Sequence, residues 1–203
     1  MHLSLYVVSA LAACSAAFKV PEGATNGFYV AYHDEAGNEV HVKDPDAAFL
    51  KGLQSSVPAV GEESKPGVSR VRRSSSGARL FERAATVWCG CTHHLNNIDC
   101  DNAVNQIKNQ IRNAGGQSDV KPGTAWYGIN GNVVSFICNL YGPSNGRMTE
   151  ATFAGGLSTI TSSCGYYVAG TIENDVSDVG YMNLDGEATW FCERTRWSLD
   201  HSC

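Results

Sequence analysis

The residues of this chain best suited to chemistry lie together at Cys89, Cys91 and His93, which follow one another at two-residue intervals. On a β-strand, alternate side chains point to the same face, so these three groups would lie side by side. Thiolates and imidazoles bind zinc, but a structural zinc site has four ligands and the sequence does not indicate the fourth. A cysteine beside a histidine can also act as a nucleophile, but no third residue that would orient the histidine is evident. We therefore interpret these cysteines chiefly as disulfide partners, which requires an oxidising compartment.

A paired basic sequence, Arg-Val-Arg-Arg, divides the chain by its cysteine content, because no cysteine lies between residue 18 and this site and seven follow it. The site lies in a stretch rich in proline, glycine and serine, which is typical of an exposed loop that a protease can enter. We predict cleavage by a kexin-type protease that recognises Arg70, Arg72 and Arg73 and leaves Ser74 as the new terminus. The alternative is an uncleaved basic linker. The seven cysteines are Cys89, Cys91, Cys100, Cys138, Cys164, Cys192 and Cys203.

The first 17 residues predict a secretory signal peptide. Residues 3–13 are apolar, and the small residues Ser15 and Ala17 precede the expected cut before Phe18. The sequence before Cys14 also matches a bacterial lipoprotein signal, in which Cys14 would carry a lipid. The paired basic site favours the eukaryotic secretory route instead. We thus divide the chain into a signal peptide (1–17), a pro-segment (18–73) and a mature cysteine-rich domain (74–203), and we expect the product to be secreted and extracellular.

The pro-segment contains one patterned stretch. Residues 27–33 and 38–43 are rich in aromatic and β-branched side chains around a turn at residues 34–37, which predicts a β-hairpin. A hairpin alone is marginally stable. Beyond Pro45 the pattern fades, and we expect a flexible linker. The pro-segment is then either a folding aid or mask for the mature domain, or a disposable spacer.

The formal net charge of −5 is mild, and the mature domain contains no run of lysine or arginine. Nucleic acid and anionic lipid are therefore not expected as charge-driven partners. No further apolar run approaches the ~20 residues that a membrane-spanning helix needs, so we expect no stable membrane insertion. The sequence predicts neither a cofactor nor a metal site.

The mature domain alternates strand and helix patterns. Residues 86–91 predict a strand, and residues 97–114 predict a helix that Asp99 or Asp101 caps and that two glycines end. Residues 125–129 and 133–138 predict a hairpin with a type I′ turn at Asn130 and Gly131. A second helix follows, capped by Thr149 and ended by Gly165.

Residues 166–172, 180–182 and 189–192 predict the last strands. The order β-α-β-β-α-β is the split-βαβ pattern, because two apolar helix stripes need one apolar sheet face. We therefore predict an α+β fold, a two-layer sandwich in which two helices cover one face of an antiparallel sheet joined by disulfides.

Three short stretches of this domain resemble a known group of proteins. Residues 133–139 (Val-Val-Ser-Phe-Ile-Cys-Asn), residues 163–165 (Ser-Cys-Gly) and residues 168–171 (Val-Ala-Gly-Thr) lie in the hairpin, the second helix and the following strand. In pattern and spacing, residues 86–192 resemble small secreted fungal effectors of the killer-toxin-like and necrosis-inducing-factor-like type. The signal peptide, the kexin-type site and the pro-segment resemble the precursors of such effectors. The resemblance implies a split-βαβ fold and a role in virulence or competition.

We expect the mature protein to act by binding a component of a host or competitor, and we expect it not to be an enzyme. The alternatives are a small nuclease-like extracellular enzyme and a protease inhibitor. We expect His93 and His94 to be polar residues at a strand end. We interpret most aromatic side chains as sheet core, although an exposed binding patch is the alternative; the set is Trp126, Tyr127, Tyr166, Tyr167, Trp190 and Trp197.

We expect three disulfides and one unpaired thiol among Cys89, Cys91 and Cys203. Cys100, Cys138 and Cys164 are expected to be bridged, because they lie on the central helices and hairpin. The loops at residues 141–146 and 173–178 are expected to recognise the target.

Overall fold

The computed structural model describes residues 17–56, 85–140, 145–174, 177–184, 190–192 and 200–203. Residues 1–16 of the predicted signal peptide, including Cys14, lie outside this part of the chain, as do Arg70, Arg72, Arg73 and Ser74. The strands within it are β1 (Phe18–Lys19), β2 (Gly27–His33), β3 (Glu39–Lys43), β4 (Thr86–His94), β5 (Gln117–Val120), β6 (Thr124–Asn130), β7 (Val133–Asn139), β8 (Gly146–Thr149), β9 (Val168–Glu173), β10 (Asp178–Asn183) and β11 (Trp190–Phe191). The helices are α1 (Ala47–Ser56), α2 (Asn97–Asn113) and α3 (Glu150–Cys164).

Seven of these strands form one antiparallel sheet in the order β3-β2-β6-β7-β10-β9-β4. Two smaller sheets pair β1 with β11 and β5 with β8. The predicted α+β class with an antiparallel sheet is therefore confirmed. Most of the central strands are buried along nearly their whole length, β7 throughout, which requires cover on both faces of the sheet.

The predicted N-terminal hairpin is confirmed, and it belongs to the main sheet. Strands β2 and β3 are joined by a turn in which the Asp34 carboxylate accepts hydrogen bonds from the amides of Ala36 and Asn38. Strand β2 then pairs with β6 over six residues. The hairpin thus gains the partner strand and apolar cover that an isolated hairpin lacks.

The prediction of a flexible linker beyond Pro45 is wrong at its start, because residues 47–56 form α1. The Asp46 carboxylate accepts a hydrogen bond from the Phe49 amide at 2.7 Å, which satisfies one of the free donors of the first turn. Leu50 and Leu53 pack against the main core. Tertiary contacts therefore order a segment whose own sequence pattern is weak.

Helix α2 begins at the predicted residue and ends one residue earlier than predicted, but its predicted cap is wrong. Asn96 is the N-cap, with an extended backbone and a side-chain oxygen that accepts from the Asp99 amide at 3.1 Å. Asp99 instead occupies the first turn, where its carboxylate accepts from the Asn130 amide group at 2.8 Å. The helix begins two residues before Asp99, so that residue cannot be the cap.

The hairpin of β6 and β7 is confirmed, but its turn is one residue later than predicted. Asn130 pairs with Val133, so Gly131 and Asn132 form the two-residue loop. Gly131 has φ of 53°, whereas Asn132 lacks a positive φ. A type I′ turn needs a positive φ at both central residues, whereas a type II′ turn needs it only at the first. The observed turn therefore fits type II′.

Helix α3 begins and ends as predicted. The Thr149 hydroxyl accepts from the Thr152 amide at 3.1 Å, and Gly165, with φ of 98°, follows the last helical residue. Helix α2 contacts β6 and β7, and α3 contacts β4, β9 and β10. Both helices approach the sheet closely at glycines: a Cβ on Gly128 would lie 2.3 Å from the Ala103 carbonyl oxygen, and one on Gly170 would lie 2.5 Å from a methyl group of Ile160.

Candidate functional site

Three disulfides connect elements that are distant in the sequence, as predicted. Cys89–Cys164 joins β4 to α3, Cys138–Cys192 joins β7 to the residue after β11, and Cys91–Cys203 joins β4 to the end of the chain. Cys89 and Cys91 therefore form disulfides and have no free thiolate to bind zinc or act as a nucleophile. Among the described residues, no three His, Cys, Asp or Glu side chains form a metal-binding group.

The predicted position of the unpaired thiol is wrong. Cys89, Cys91 and Cys203 are all bridged, and Cys100 is the free cysteine within the described part of the chain. Cys100 lies on the buried face of α2, and burial together with the charge of Asp101 raises the pKa of its thiol to about 12. The thiolate is the nucleophilic form, so both the burial of this thiol and its raised pKa disfavour reaction at neutral pH.

The histidines around β4 lie near cysteines whose sulfur atoms are bridged. His201 Nδ1 lies 2.7 Å from the Val87 carbonyl oxygen, and its ring packs 4.4 Å from that of Trp88. His94 is exposed, and its carbonyl oxygen accepts from the Asn183 side chain. His93 is partly buried at the end of the same strand.

The aromatic residues divide between the core and the surface. Trp126 and Tyr127 are buried, in agreement with the core interpretation. Tyr166 and Trp190 are exposed, with 81% and 42% of their surface accessible, and Tyr167 is partly buried. Trp197 lies outside the described residues, as do residues 141–144 and 175–176 of the two predicted recognition loops.

One polar cluster that the sequence did not reveal joins the N-terminal hairpin to the rest of the sheet. His41 Nε2 lies 2.6 Å from Glu39 Oε1, and His41 Nδ1 lies 2.7 Å from the Tyr127 hydroxyl. Acid, imidazole and hydroxyl in this order are typical of an activated nucleophile. Here the hydroxyl belongs to a tyrosine that is fully buried, and burial also raises the pKa of that hydroxyl. The cluster therefore links β3 to β6 through a buried hydroxyl.

A cleft of about 170 Å³ opens where α1 meets the segment between α2 and β6. One wall comes from α1, with the apolar side chains of Ala47, Leu50 and Leu53 beside Lys51. The opposite wall includes Lys121 and Trp126. An engineered cavity of ~150 Å³ holds one benzene molecule, so the cleft accommodates a group of about that size.

Two polar groups of the cleft wall, Ser118 and Lys121, can donate hydrogen bonds to a ligand, and the Asp119 carboxylate on the same wall can accept one. Ser118 is buried, and its hydroxyl has no hydrogen-bond partner among the described residues. Lys121 is also buried; desolvation lowers the pKa of its ammonium group, and the nearby charge of Asp119 partly opposes this shift. A hydroxyl donor and an ammonium group beside an indole ring can receive an anionic or carbonyl group attached to an apolar body.

Sequence reasoning did not find this cleft, because its two walls lie far apart in the chain and only the sheet brings them together. None of the helices in the described residues is long and apolar enough to cross a bilayer. Comparison with protein-family models, with curated proteins and with solved structures found no match to this chain.

Proposed function

We propose that this chain is a secreted, proteolytically matured fungal effector or killer-toxin-like protein that acts by binding a host or competitor target. The sequence signals for secretion and kexin-type processing support the proposal. The three disulfides fit an oxidising compartment. A sheet cross-linked by disulfides is rigid before it binds, so a binding surface that it supports loses less conformational entropy on binding.

The observation that carries the binding role is the cleft beside α1. It combines apolar side chains of α1 with two buried polar groups, Ser118 and Lys121, and the serine hydroxyl has no partner among the described residues. Leaving a buried polar group unpaired costs ~1–3 kcal/mol, which a bound acceptor would recover. The target group that fits is a carboxylate or carbonyl on a small apolar body.

The test compares cleft variants with histidine variants in a bioassay, either growth inhibition of a competitor or lesion formation on host tissue. Lys121→Met and Ser118→Ala should each weaken activity, because they remove the polar contacts and keep the apolar wall. Lys19→Met, at an exposed lysine, serves as the matched control and should have no effect.

Replacing His93, His94 or His201 by Ala should leave activity within a few-fold if binding is the function. Loss of a general acid or base typically reduces a rate by ~10²–10⁴. A hundredfold loss in one of these variants, with circular dichroism unchanged, would contradict the binding role and favour an enzyme. Incubation of the purified protein with RNA and with protease substrates distinguishes the nuclease-like and inhibitor alternatives.

We also infer that α2 and α3 cover the same face of the sheet, as in a split-βαβ sandwich. The pairing of β6, β7, β10 and β9 aligns one row of residues, namely Gly128, Ser135, Tyr181 and Gly170. Residues in such a row project from the same face. The close approach of α2 at Gly128 and of α3 at Gly170 supports a single helical layer.

A further inference from the structure

The residues before the predicted processing site form part of the main sheet. Strand β2 pairs with β6 from Gly27 opposite Ile129 to Tyr32 opposite Thr124. Strand β6 is paired on its other side with β7. Removal of the N-terminal hairpin would therefore turn a central strand into an unpaired edge.

Side chains of β2 are as deeply buried as those of the central strands. Val30 is fully buried, and it pairs with Trp126 across the β2–β6 contact. The Phe28 ring packs edge-on against Trp126 with centroids 5.4 Å apart, and the Tyr29 ring stacks on Tyr127 at 5.0 Å. Loss of the hairpin would expose these aromatic rings to water.

A second contact ties the start of the pro-segment to the end of the mature domain. Strand β1 pairs with β11, and the fully buried ring of Phe18 packs 6.2 Å from that of Phe191. Phe191 in turn packs against Tyr127 and precedes Cys192, which is bridged to β7. The pro-segment is thus held at two separate places in the fold.

The predicted cleavage cuts none of these elements. Hydrolysis of the peptide bond after Arg73 adds one water, leaving a carboxylate on Arg73 and an amino group on Ser74. The described elements on the N-terminal side end at Ser56, and those on the C-terminal side begin at Thr86. Every disulfide of the described residues lies between Cys89 and Cys203, so none joins the two sides.

We propose that residues 18–73 stay bound after cleavage, so that the mature protein is a non-covalent complex of two chains. The partner of the β6 edge is the protein's own N-terminal fragment, held by a six-residue strand ladder and by aromatic side chains. The cleft beside α1 then survives maturation, because one of its walls belongs to this fragment. The inference rests on the processing step of the proposed function.

The first experiment tests separately whether the chain is cleaved after Arg73 and whether the fragment 18–73 stays bound after cleavage. The protein is purified from culture medium under native conditions and measured by native and by denaturing mass spectrometry. We expect one native species containing fragments 18–73 and 74–203, which separate on denaturation without a reducing agent. A native species of 74–203 alone overturns retention and leaves processing intact. An uncut 18–203 chain contradicts processing; cleavage of that chain in vitro by a protease specific for paired basic residues then decides retention.

A pair of variants, one buried and one exposed, tests the contact between β2 and β6. Val30→Ala removes two methyl groups from the buried strand contact, and Glu35→Ala changes an exposed turn residue of the same hairpin. In the cleaved protein, Val30→Ala should raise the dissociation constant of the fragment at least about tenfold, whereas Glu35→Ala should leave it unchanged. Equal dissociation constants for both variants would overturn the proposed contact.

Discussion

The bridge between Cys89 and Cys164 gives the sharpest test of how this fold is stabilised. It joins the edge strand β4 to the end of α3 across a sequence separation of 75 residues. The chain-entropy relation predicts that closing a loop of that length contributes about 4.5 kcal/mol to the free energy of unfolding. Measured losses on removing a native bridge from a small secreted domain are ~2–5 kcal/mol.

The perturbation is the double variant Cys89→Ala, Cys164→Ala, which removes the bridge without leaving an unpaired thiol. The control is Cys100→Ala, which removes a buried thiol that forms no bridge within the described part of the chain. The control should cost about 1 kcal/mol, the typical effect of a methyl-sized cavity. The same change of side chain thus separates the effect of the bridge from that of the cavity.

Thermal unfolding followed by circular dichroism, without reducing agent, measures the difference. For a domain of this size, 1 kcal/mol shifts the melting temperature by ~2–4 °C. The double variant should therefore melt roughly 9–18 °C below the parent protein, and the control roughly 2–4 °C below it. Equal shifts in both variants would refute the argument that this bridge constrains the unfolded chain.

Two further predictions concern the helices. Gly128→Ala places a Cβ 2.3 Å from the Ala103 carbonyl oxygen, so it should lower the free energy of unfolding, measured in urea, by about 1–3 kcal/mol. The control is Gly155→Ala, whose Cβ meets nothing within 4 Å and which should be neutral or stabilising by up to ~1 kcal/mol. Equal losses in the two variants would contradict the close approach of α2. The hydrogen bond from Arg112 holds the pKa of Glu150 below its usual 4.5, so the stabilisation by this pair is present above about pH 4.5 and lost as the pH falls through the lowered pKa. Glu150→Gln should therefore reduce stability at pH 7 and flatten the acid limb of the stability profile; an unchanged limb would show that the pair contributes nothing.

Local sequence signals located most of the secondary structure of this protein. The caps at Thr149 and Gly165 and the alternating residues of the hairpins act over a few positions, so each can be recognised without its tertiary surroundings. Two errors arose where neighbours compete for one role, and others where tertiary contacts order a weakly patterned segment, as in α1. Asn96 took the cap that Asp99 was expected to supply, and Gly131 shifted the turn by one residue.

The number of disulfides followed from the composition, but the identity of the free thiol did not. Cys100 lies on the buried face of α2, where no other cysteine of the described residues reaches it. Pairing depends on the distance between Cα atoms, which in the three bridges is 5.3–5.5 Å. For Cys89 and Cys91, that distance is set by the packing of α3 and the chain end on β4. The spacing of the cysteines in the sequence does not predict it.

The sequence by itself determined the class of this protein: an α+β domain, rich in disulfides, with a hairpin before a paired basic sequence. Only the tertiary structure decided that the hairpin is part of the main sheet and that α1 forms one wall of a cleft with Lys121. Hydrophobic periodicity and capping residues reflect the solvent exposure of a segment and its hydrogen bonds to residues nearby in the sequence. The pairing of β2 with β6 depends on contacts between residues about a hundred positions apart, which local patterns do not encode.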